Sequence, residues 1–145
     1  MQLTKYTDFG LRVMMYLTQS RGRGTPVTIP EIAERFDVSR NHLVKVAHFL
    51  AQQGWVLTTR GKGGGLRLAR EPAEYRLGDL VYALENQQTL VNCGAPVCAL
   101  QGLCLLSGVL ADSLKSFYDA LNRHTLADLV RAPTGEAIVR LQLVA

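Results

Sequence analysis

Residues 38–70 of the chain read VSRNHLVKVAHFLAQQGWVLTTRGKGGGLRLAR, and the fold follows from this stretch. Ser39 is a favourable N-cap for a helix that carries apolar residues at three- and four-residue intervals from Leu43 onward. Gly54 is placed to end that helix in the left-handed conformation that glycine adopts readily. The stretch therefore begins with one amphipathic helix.

A β-hairpin is predicted directly after this helix. Residues 55–59 are rich in β-prone side chains, residues 61–65 are GKGGG, and residues 66–69 are again compatible with a strand. The glycines allow a tight turn between two antiparallel strands.

A second helix is predicted immediately upstream, beginning at Thr28. Glu31 completes the sequence of a capping box, in which the threonine hydroxyl accepts from the Glu31 amide and the carboxylate reaches back to the Thr28 amide. A short turn at residues 36–38 separates the two helices, and a further amphipathic helix covers residues 4–19. Two helices joined by a turn of about three or four residues and followed by a hairpin form a winged helix-turn-helix.

The second half of the chain is predicted to be helical on either side of a loop. Helical periodicity runs through residues 77–84, breaks over residues 86–104 and resumes directly beyond them. The last long helix carries an apolar stripe of Leu106, Leu110, Leu114, Phe117 and Leu121. This stripe packs either within one chain or against its copy across a two-fold axis. Thr125 and Asp128 predict another N-cap, and the residues from Pro133 onward carry no strong signal.

The predicted fold class is mainly α: a winged helix-turn-helix with a two-stranded wing, a cysteine loop and a long C-terminal dimerisation helix. The segments are the winged helix-turn-helix at residues 1–85, the cysteine loop at 86–104, the dimerisation helix at 105–124 and a C-terminal segment at 125–145. At 145 residues and 48% hydrophobic, the chain is long enough for one compact core and too short for two ordinary domains.

Positive charge is concentrated in the helix-hairpin stretch. The net charge is +4 and the sequence pI is about 9.2. Residues 38–70 contain no Asp or Glu and six basic residues: Arg40, Lys45, Arg60, Lys62, Arg67 and Arg70. Beyond residue 76, acidic residues outnumber basic ones. A basic, acid-free segment that coincides with a predicted helix-turn-helix indicates binding to duplex DNA.

The first turns of the helix at Ser39 are predicted to read the major groove, because a recognition helix docks there with its N-terminal residues. Arg40 can pair bidentately with guanine and Asn41 with adenine, while Lys45 suits a phosphate contact. Ser39 and His42 lie beside them. The alternative is an ordinary solvated helix face, which the missing acidic residues disfavour.

The hairpin is predicted to contact the sugar-phosphate backbone. Gly63 and Gly64 let the main chain approach closely, and Arg60 and Lys62 supply charge that fits a minor groove. The alternative is a loose surface hairpin. A nucleotide-binding loop is excluded because Lys62 is followed by glycine instead of Ser or Thr, and Gly65 leads into a strand instead of a helix.

The sequence lacks the signatures of membrane proteins and of the common enzyme classes. No apolar run is long enough to span a bilayer, and Lys5, Asp8 and Arg12 interrupt the stretch that a signal peptide needs to be apolar. A cytoplasmic protein with no membrane partner is expected. An enzyme is not expected, because no Cys-x-x-Cys pair, phosphate loop or metalloprotease histidine pair is present; a thiol-dependent enzyme is the weaker alternative.

All three cysteines, Cys93, Cys98 and Cys104, fall in one short segment, with four and then five residues between them. An odd cluster of thiols argues against a disulfide framework and for a metal or redox site. Structural zinc uses tighter pairs, so the longer spacing fits an iron–sulfur cluster better, with one ligand position left open. Three unliganded core thiols are the alternative.

Several motifs resemble the IscR/NsrR superfamily of winged-helix iron–sulfur regulators. They are Tyr6-Thr7-Asp8-Phe9-Gly10-Leu11-Arg12, Val38-Ser39-Arg40-Asn41-His42-Leu43, Arg60-Gly61-Lys62-Gly63-Gly64-Gly65 and the cysteine loop. The resemblance covers nearly the whole chain. The most similar branch is the nitric-oxide-sensitive NsrR branch, through Val91-Asn92-Cys93 and Thr125-Leu126-Ala127-Asp128-Leu129-Val130.

The resemblance implies a homodimeric repressor that binds a palindromic operator and carries an iron–sulfur cluster on Cys93, Cys98 and Cys104. A 4Fe–4S cluster is favoured, with 2Fe–2S as the alternative. Nitric oxide attacks the iron of such a cluster, and the operator is released. A regulator that senses redox state or iron supply through the same cluster is the alternative function.

The fourth cluster ligand is left open by the resemblance. In the iron–sulfur-assembly branch a histidine three residues past the last cysteine completes the set, and Ser107 stands there in this chain, which argues against that branch. The candidates are Asp8, Glu85, His124 and an external small ligand. The resemblance favours Asp8 of the partner subunit, whose carboxylate would bind iron more weakly than a thiolate. Alternatively, Asp8 forms an ordinary side-chain pair with Arg12.

Overall fold

The computed structural model describes residues 2–144, which form seven α-helices, one 3₁₀ turn and a two-stranded antiparallel sheet. In chain order the elements are α1 (Lys5–Gln19), α2 (Ile29–Phe36), α3 (Arg40–Gln52), β1 (Val56–Thr59), β2 (Gly65–Leu68), the 3₁₀ turn (Pro72–Glu74), α4 (Leu77–Glu85), α5 (Leu105–Leu121), α6 (Leu126–Leu129) and α7 (Thr134–Leu143). No helix in this range is long and apolar enough to cross a membrane. Met1 and Ala145, the outer ends of the first and last predicted segments, lie outside the described residues. The predicted mainly helical fold with a two-stranded wing is confirmed.

Helix α1 lies at the centre of the fold and contacts α3, α4, α6 and α7. Thr4 caps its N-terminus by accepting from the Thr7 amide at 3.3 Å. The apolar residues that it buries are Val13, Met14, Tyr16 and Leu17. Gly10 lets α4 approach closely, because a Cβ at this position would lie 2.7 Å from a methyl group of Leu84.

The turn between α2 and α3 is set by Asp37, which ends α2 in the left-handed conformation with φ 52°. At the start of α2 the Thr28 hydroxyl accepts from the Glu31 amide at 3.3 Å, as predicted. The hydrogen bond that was predicted from the Thr28 amide to the Glu31 carboxylate does not form, so this prediction is wrong. The Glu31 carboxylate instead accepts from the Tyr16 hydroxyl at 2.7 Å and from the Arg23 guanidinium at 2.6 and 2.8 Å. A charged guanidinium is a stronger partner for a carboxylate than a solvated main-chain amide.

Helix α3 begins and ends where the sequence predicts. Ser39 is its N-cap in an extended conformation, as predicted, and the hydroxyl makes no capping hydrogen bond within residues 2–144. At the other end the Trp55 amide donates to the Leu50 carbonyl and the Gly54 amide donates to the Ala51 carbonyl, both at 3.0 Å. With Gly54 at φ 67°, these two bonds form a Schellman motif.

The wing is fixed at its base to the start of the helix-turn-helix. Strand β1 begins one residue later than predicted and β2 one residue earlier, because Gly65 already pairs with Thr59. Val27, in the linker before α2, bridges to Leu66 of β2: the Val27 amide donates to the Leu66 carbonyl at 3.3 Å and the Leu66 amide donates back at 2.6 Å. The wing therefore keeps a fixed orientation relative to α2 and α3.

Helix α5 is only half covered within one chain. Its C-terminal half packs on α4 through Leu114, which is 6% exposed. Gly78 of α4 lies so close that a Cβ there would be 2.3 Å from the Tyr118 carbonyl oxygen. In the N-terminal half, Leu106 and Val109 are 60% and 61% exposed. The predicted apolar stripe is thus divided, with one part packed inside the chain and the other facing solvent.

Helix α6 starts with the predicted capping box. The Asp128 carboxylate accepts from the Thr125 amide at 2.8 Å and from the Thr125 hydroxyl at 2.9 Å. Leu126 is fully buried, and its amide donates to the Tyr75 carbonyl at 2.9 Å. The segment after α5 is therefore held against the body of the winged helix.

The sequence analysis did not predict α7, which follows Pro133. Ile138, at 4% exposed, is the one large apolar side chain that α7 buries among its described residues. A single buried position gives no apolar periodicity from which a helix could be predicted. The Gln142 side-chain amide donates to the Tyr16 carbonyl at 3.2 Å and to the Ser20 hydroxyl at 2.8 Å. These two hydrogen bonds hold the C-terminal segment against the end of α1.

Tyr16, Glu31 and Arg23 form a polar network that joins α1 to α2. Tyr16 is fully buried, and its burial together with the hydrogen bond to Glu31 raises the pKa of Tyr16 to about 12. Burial alone would raise the pKa of Glu31, but the hydrogen bonds from Arg23 and Tyr16 outweigh it and lower that pKa. Glu31 is therefore ionised and paired at neutral pH.

Tyr16→Phe is expected to lower the free energy of unfolding by about 2 kcal/mol at neutral pH, because the lost hydroxyl donates to a charged acceptor inside the fold. Folding raises the pKa of Tyr16 above its ordinary value of 10.0, so this stabilisation is complete below pH 10 and is lost as the pH rises toward 12. Urea unfolding of both proteins from neutral to alkaline pH measures the two effects.

Tyr82→Phe is the matched control for this experiment, because Tyr82 lies on α4 with 44% of its surface exposed. The control is expected to keep the stability of the wild type. Equal stability of Tyr16→Phe and Tyr82→Phe at neutral pH would contradict the assigned role of the Tyr16 hydroxyl.

Candidate nucleic-acid interface and cysteine loop

The outward face of α3 carries the residues that were predicted to read DNA. They are all exposed: Ser39, Arg40, Asn41, His42 and Lys45. The opposite face packs against the core and consists of Leu43, Val46, Ala47 and Leu50. The structure therefore gathers the predicted polar residues on one solvent-facing side of the helix.

Val44 belongs to the same exposed face, although the sequence analysis did not single it out. Its side chain is 51% exposed, and it lies one helical turn beyond Arg40 and one before His48. The signal was present in the sequence, because residues four apart share a helix face. A valine at this position was not distinguished from the apolar residues of the buried side.

Two aromatic residues of α1 hold α3 in position. The Tyr6 hydroxyl donates to the Lys45 carbonyl at 3.4 Å, and the Tyr6 ring meets the edge of Phe49 with 5.9 Å between ring centroids. Phe9 stacks on His42 with 6.0 Å between centroids and 28° between ring planes. One face of the His42 ring is therefore packed on α1 although the residue as a whole is exposed.

The tip of the wing presents two charges on a tightly folded main chain. Arg60 and Lys62 are exposed. Gly63 has φ 79°, in the region that favours glycine. A Cβ at Gly64 would lie 2.1 Å from the Thr59 carbonyl oxygen, so no larger residue fits there without moving the tip. The predicted Gly63 and Gly64 thus have a conformational reason to be glycine, and the two basic side chains project from the turn that they make.

The basic residues of this surface are not neutralised by the rest of the protein. Arg40, Lys45, Arg60 and Lys62 form no ion pair with any residue from 2 to 144. The arginines of the N-terminal half that do form ion pairs are Arg12, Arg21 and Arg23. Exposed positive charge without a counter-charge is what a surface needs to bind a polyanion.

The three cysteines lie in the loop between α4 and α5. The Cys98 amide donates to the Cys93 carbonyl at 3.0 Å, and Gly94 forms a β-bridge with Val97, so this segment makes a closed turn. Cys104 is the N-cap of α5. All three are half-buried free thiols in the described chain. The loop therefore has local structure of its own.

Cys93 and Cys104 line one cavity of about 360 Å³, whereas Cys98 is not part of its wall. Over residues 2–144, no three Cys, His, Asp or Glu side chains are gathered closely enough to hold a metal ion. The donor set still fits an iron–sulfur cluster by its chemistry, because thiolate sulfur is the ligand that such clusters take. The loop would have to tighten to bring the three sulfurs to one point.

The structure of one chain does not bring a fourth donor to these thiols. The Asp8 carboxylate pairs with Arg12, with O–N distances of 2.8 and 3.0 Å, and the Arg12 guanidinium lies 5.8 Å from the centre of the Phe36 ring. His124 is exposed beyond the far end of α5. Among the described residues that line the cysteine cavity, neither Asp8 nor His124 is found.

Glu85, the remaining candidate, has a structural role that the sequence analysis did not predict. Its carboxylate accepts from the Thr4 amide at 3.0 and 3.1 Å and from the Thr7 hydroxyl at 2.5 Å. A negative charge beside a helix N-terminus is favourable because it complements the exposed amides. Since Glu85 is the last residue of α4, these bonds tie the start of the cysteine loop to the N-terminus of α1.

Comparison with known proteins gives a family and several similar structures. A family model described as Rrf2, iron-dependent transcriptional regulator, matches residues 3–132. IscR of T. potens is 28% identical with a TM-score of 0.71, over 90% of this chain and 86% of that chain. A Listeria innocua protein described as a transcriptional regulator is 25% identical with a TM-score of 0.73, over 92% and 89% of the two chains. CymR of B. subtilis, described as a global cysteine regulator, is 24% identical with a TM-score of 0.72, over 89% and 95%, and shows the fold alone.

The family match spans the features that carry the site. It begins just before α1 and ends after α6, so it includes the exposed face of α3, the wing and the whole cysteine loop. The predicted resemblance to winged-helix regulators is therefore confirmed at the level of the family. The chain belongs to the Rrf2 family, whose members are described as iron-dependent transcriptional regulators.

Proposed function

We propose that this chain is a repressor that binds a palindromic operator as a homodimer and releases it in response to nitric oxide. The observation that carries DNA binding is the exposed, basic and acid-free surface formed by α3 and the wing. Membership in a family of transcriptional regulators supports the same conclusion.

Base reading is assigned to Arg40 and Asn41, at the end of α3 that a recognition helix inserts into the major groove. Arginine pairs with guanine O6 and N7, and asparagine pairs with adenine N6 and N7. Lys45, Arg60 and Lys62 are assigned to phosphates and sugars, contacts that give affinity and orientation without sequence preference.

The dimer contact is assigned to the N-terminal half of α5 and the residues just before it. Leu103 and Leu105 are each 88% exposed, and Leu106 and Val109 follow on the same solvent-facing part of the chain. An apolar patch of this kind marks a protein contact. Symmetric pairing through it can hold two α3 helices about 34 Å apart, the length of one DNA turn, which is the reason to expect a palindromic operator.

Cys93, Cys98 and Cys104 are assigned as ligands of an iron–sulfur cluster, favoured as 4Fe–4S, with Asp8 of the partner subunit as the fourth ligand. When bound, the cluster supplies iron that reacts with nitric oxide. The family description as iron-dependent regulators supports iron. Within residues 2–144 the Asp8 carboxylate pairs with the Arg12 guanidinium, and the Asp8 and Arg12 side chains are 45% and 39% exposed. Such a pair contributes about 0.5 kcal/mol, so the carboxylate can leave it at little cost.

The coupling between the loop and the DNA surface is assigned to α1. Glu85 joins the start of the loop to Thr4 and Thr7, and Tyr6 and Phe9 of the same helix hold α3. A change in the loop that moves Glu85 therefore also moves the helix on which α3 rests. A ligand shifts DNA affinity only if it binds the two arrangements differently, and the tightened and relaxed loops provide that difference.

Arg60→Ala is expected to weaken operator binding and to reduce the slope of log K against log salt by about two units, because one phosphate or minor-groove contact is lost in each subunit of the dimer. Fluorescence anisotropy at several salt concentrations measures both quantities. Arg123→Ala is the control, since Arg123 is an exposed basic residue in the acidic half of the chain. Unchanged affinity and salt slope in Arg60→Ala would remove the wing from the interface.

Val109→Glu is expected to convert the dimer to monomers, because it would bury an unpaired charge in an apolar contact. Sedimentation equilibrium measures the association state, and operator affinity is expected to fall with it. Ala120→Glu places the same charge at an exposed position nearer the packed end of α5 and serves as the control. A Val109→Glu protein that dimerises as well as the control would exclude this surface as the dimer contact.

Anaerobically purified protein is expected to be coloured, to contain iron and sulfide, and to lose operator affinity on titration with nitric oxide. Absorption spectra, iron and sulfide assays and operator binding are measured on the same samples. Cys93→Ser is expected to lose the iron, because it removes one of three thiolate ligands. Leu100→Ser, at an exposed loop residue, keeps all three thiols and is expected to behave like the wild type.

Three outcomes of this titration separate the alternatives. Release of the operator by nitric oxide supports the proposal. Release by oxidants or iron chelators, with no response to nitric oxide, favours a regulator of redox state or iron supply. An iron-free protein that binds the operator normally would contradict a cluster-dependent function.

A further inference from the structure

We infer that Val44 is a specificity-determining residue that selects a thymine in each half-site by contact with the thymine methyl group. The inference rests on the proposed DNA binding and adds a residue and a base preference to it. It is carried by the exposure of Val44, by the groove that it lines, and by the chemistry of the base edges.

Val44 does not belong to the hydrophobic core of the described residues. Val44 lies on the outward side of α3 with 51% of its surface exposed, while the core is contacted by the other side of the helix. Valine is also a poorer helix former than alanine or the long polar residues. Its neighbours one turn away are Arg40 and His48, so Val44 lies in the middle of the surface assigned to DNA.

Val44 lines a groove of about 360 Å³ between α3, the wing and the start of α2. Threonines from the other two elements line the same groove: Thr28, Thr58 and Thr59. Among the described residues of this lining there is no carboxylate, and His48 is the one titratable side chain. A strand of DNA against this groove would therefore meet no carboxylate, and the wall that α3 provides consists of Val44, Ala47 and His48.

The chemistry of the base edges selects thymine. A valine side chain has no donor or acceptor, so it cannot satisfy the polar edges of guanine, adenine or cytosine. The C5 methyl group of thymine is the apolar feature that the major groove offers. Val44 lies four residues, about 6 Å along α3, beyond Arg40, so the thymine is close to the base pair that Arg40 reads.

The test begins with selection of an operator from a library of random duplexes by the anaerobically purified full-length chain. Each thymine of the selected operator is then replaced by deoxyuridine, which lacks only the methyl group. Replacement of this thymine in one half-site is expected to raise the Kd of the wild type about fourfold, which corresponds to ~0.8 kcal/mol for one methyl contact, and replacement in both half-sites about fifteenfold. The same replacement is expected to leave the Kd of Val44→Ala unchanged.

Val139→Ala is the matched control, because Val139 is an exposed valine of α7, 38% exposed and outside the DNA surface. It is expected to retain the wild-type response to deoxyuridine. Val44→Thr, which keeps the shape and one methyl group, is expected to respond less than the wild type. Selection with Val44→Ala is expected to lose the thymine preference at one position per half-site.

The outcomes separate this inference from the proposed function. A chain that selects no sequence would overturn the proposed DNA binding itself. A chain that selects an operator but shows the same deoxyuridine response in the wild type and in Val44→Ala would overturn the role of Val44 and leave operator binding intact.

Discussion

The packing of α1 between α3 and α4, the helix that precedes the cysteine loop, is the constraint on which the rest of the structure depends. On one side Gly10 brings α1 against Leu84 of α4, and on the other Tyr6 and Phe9 contact α3. The Glu85 bonds to its first turn add a polar link where the apolar packing ends. Because a close-packed interior transmits strain, a displacement of α1 against α4 is passed on to α3 through the contacts of Tyr6 and Phe9.

The elements that the sequence predicts well are those with a long periodic pattern or a residue with one strong conformational preference. The buried face of α3, the glycine that ends it and the glycine-rich wing belong to this group. Helix α7 could not be predicted, because its stability depends on Ile138 and on bonds from Gln142 to α1, more than a hundred residues away in sequence. The hydrogen-bond partner of the Glu31 carboxylate was predicted wrongly for the same reason. Arg23 and Tyr16 come close to this carboxylate only in the folded chain.

For the candidate site, the exposed polar residues of α3 and the charges of the wing follow from helical period and turn chemistry. Two features required the structure. The helical spacing places Val44 on the face of Arg40 and His48, but that its side chain is 51% exposed is seen only in the folded chain. The arrangement of the thiols depends on a turn closed by main-chain bonds, which puts Cys93 and Cys104 on one cavity and leaves Cys98 outside it. Composition and spacing identify the donors of such a site, but they do not determine where the side chains meet.

Helix α5 is a rigid rod of 17 residues, about 25 Å long, clamped at one end by Leu114 and Gly78 and starting at Cys104 at the other. A tilt of about 5° at the clamp moves the free end by about 1 Å, a displacement comparable with the tolerance of a ligand position. A displacement at either end of this helix is transmitted to the other end. In the proposed dimer, operator DNA that fixes the spacing of two subunits would also restrict the angle of this helix, so operator binding and the geometry of the cysteine loop would constrain each other.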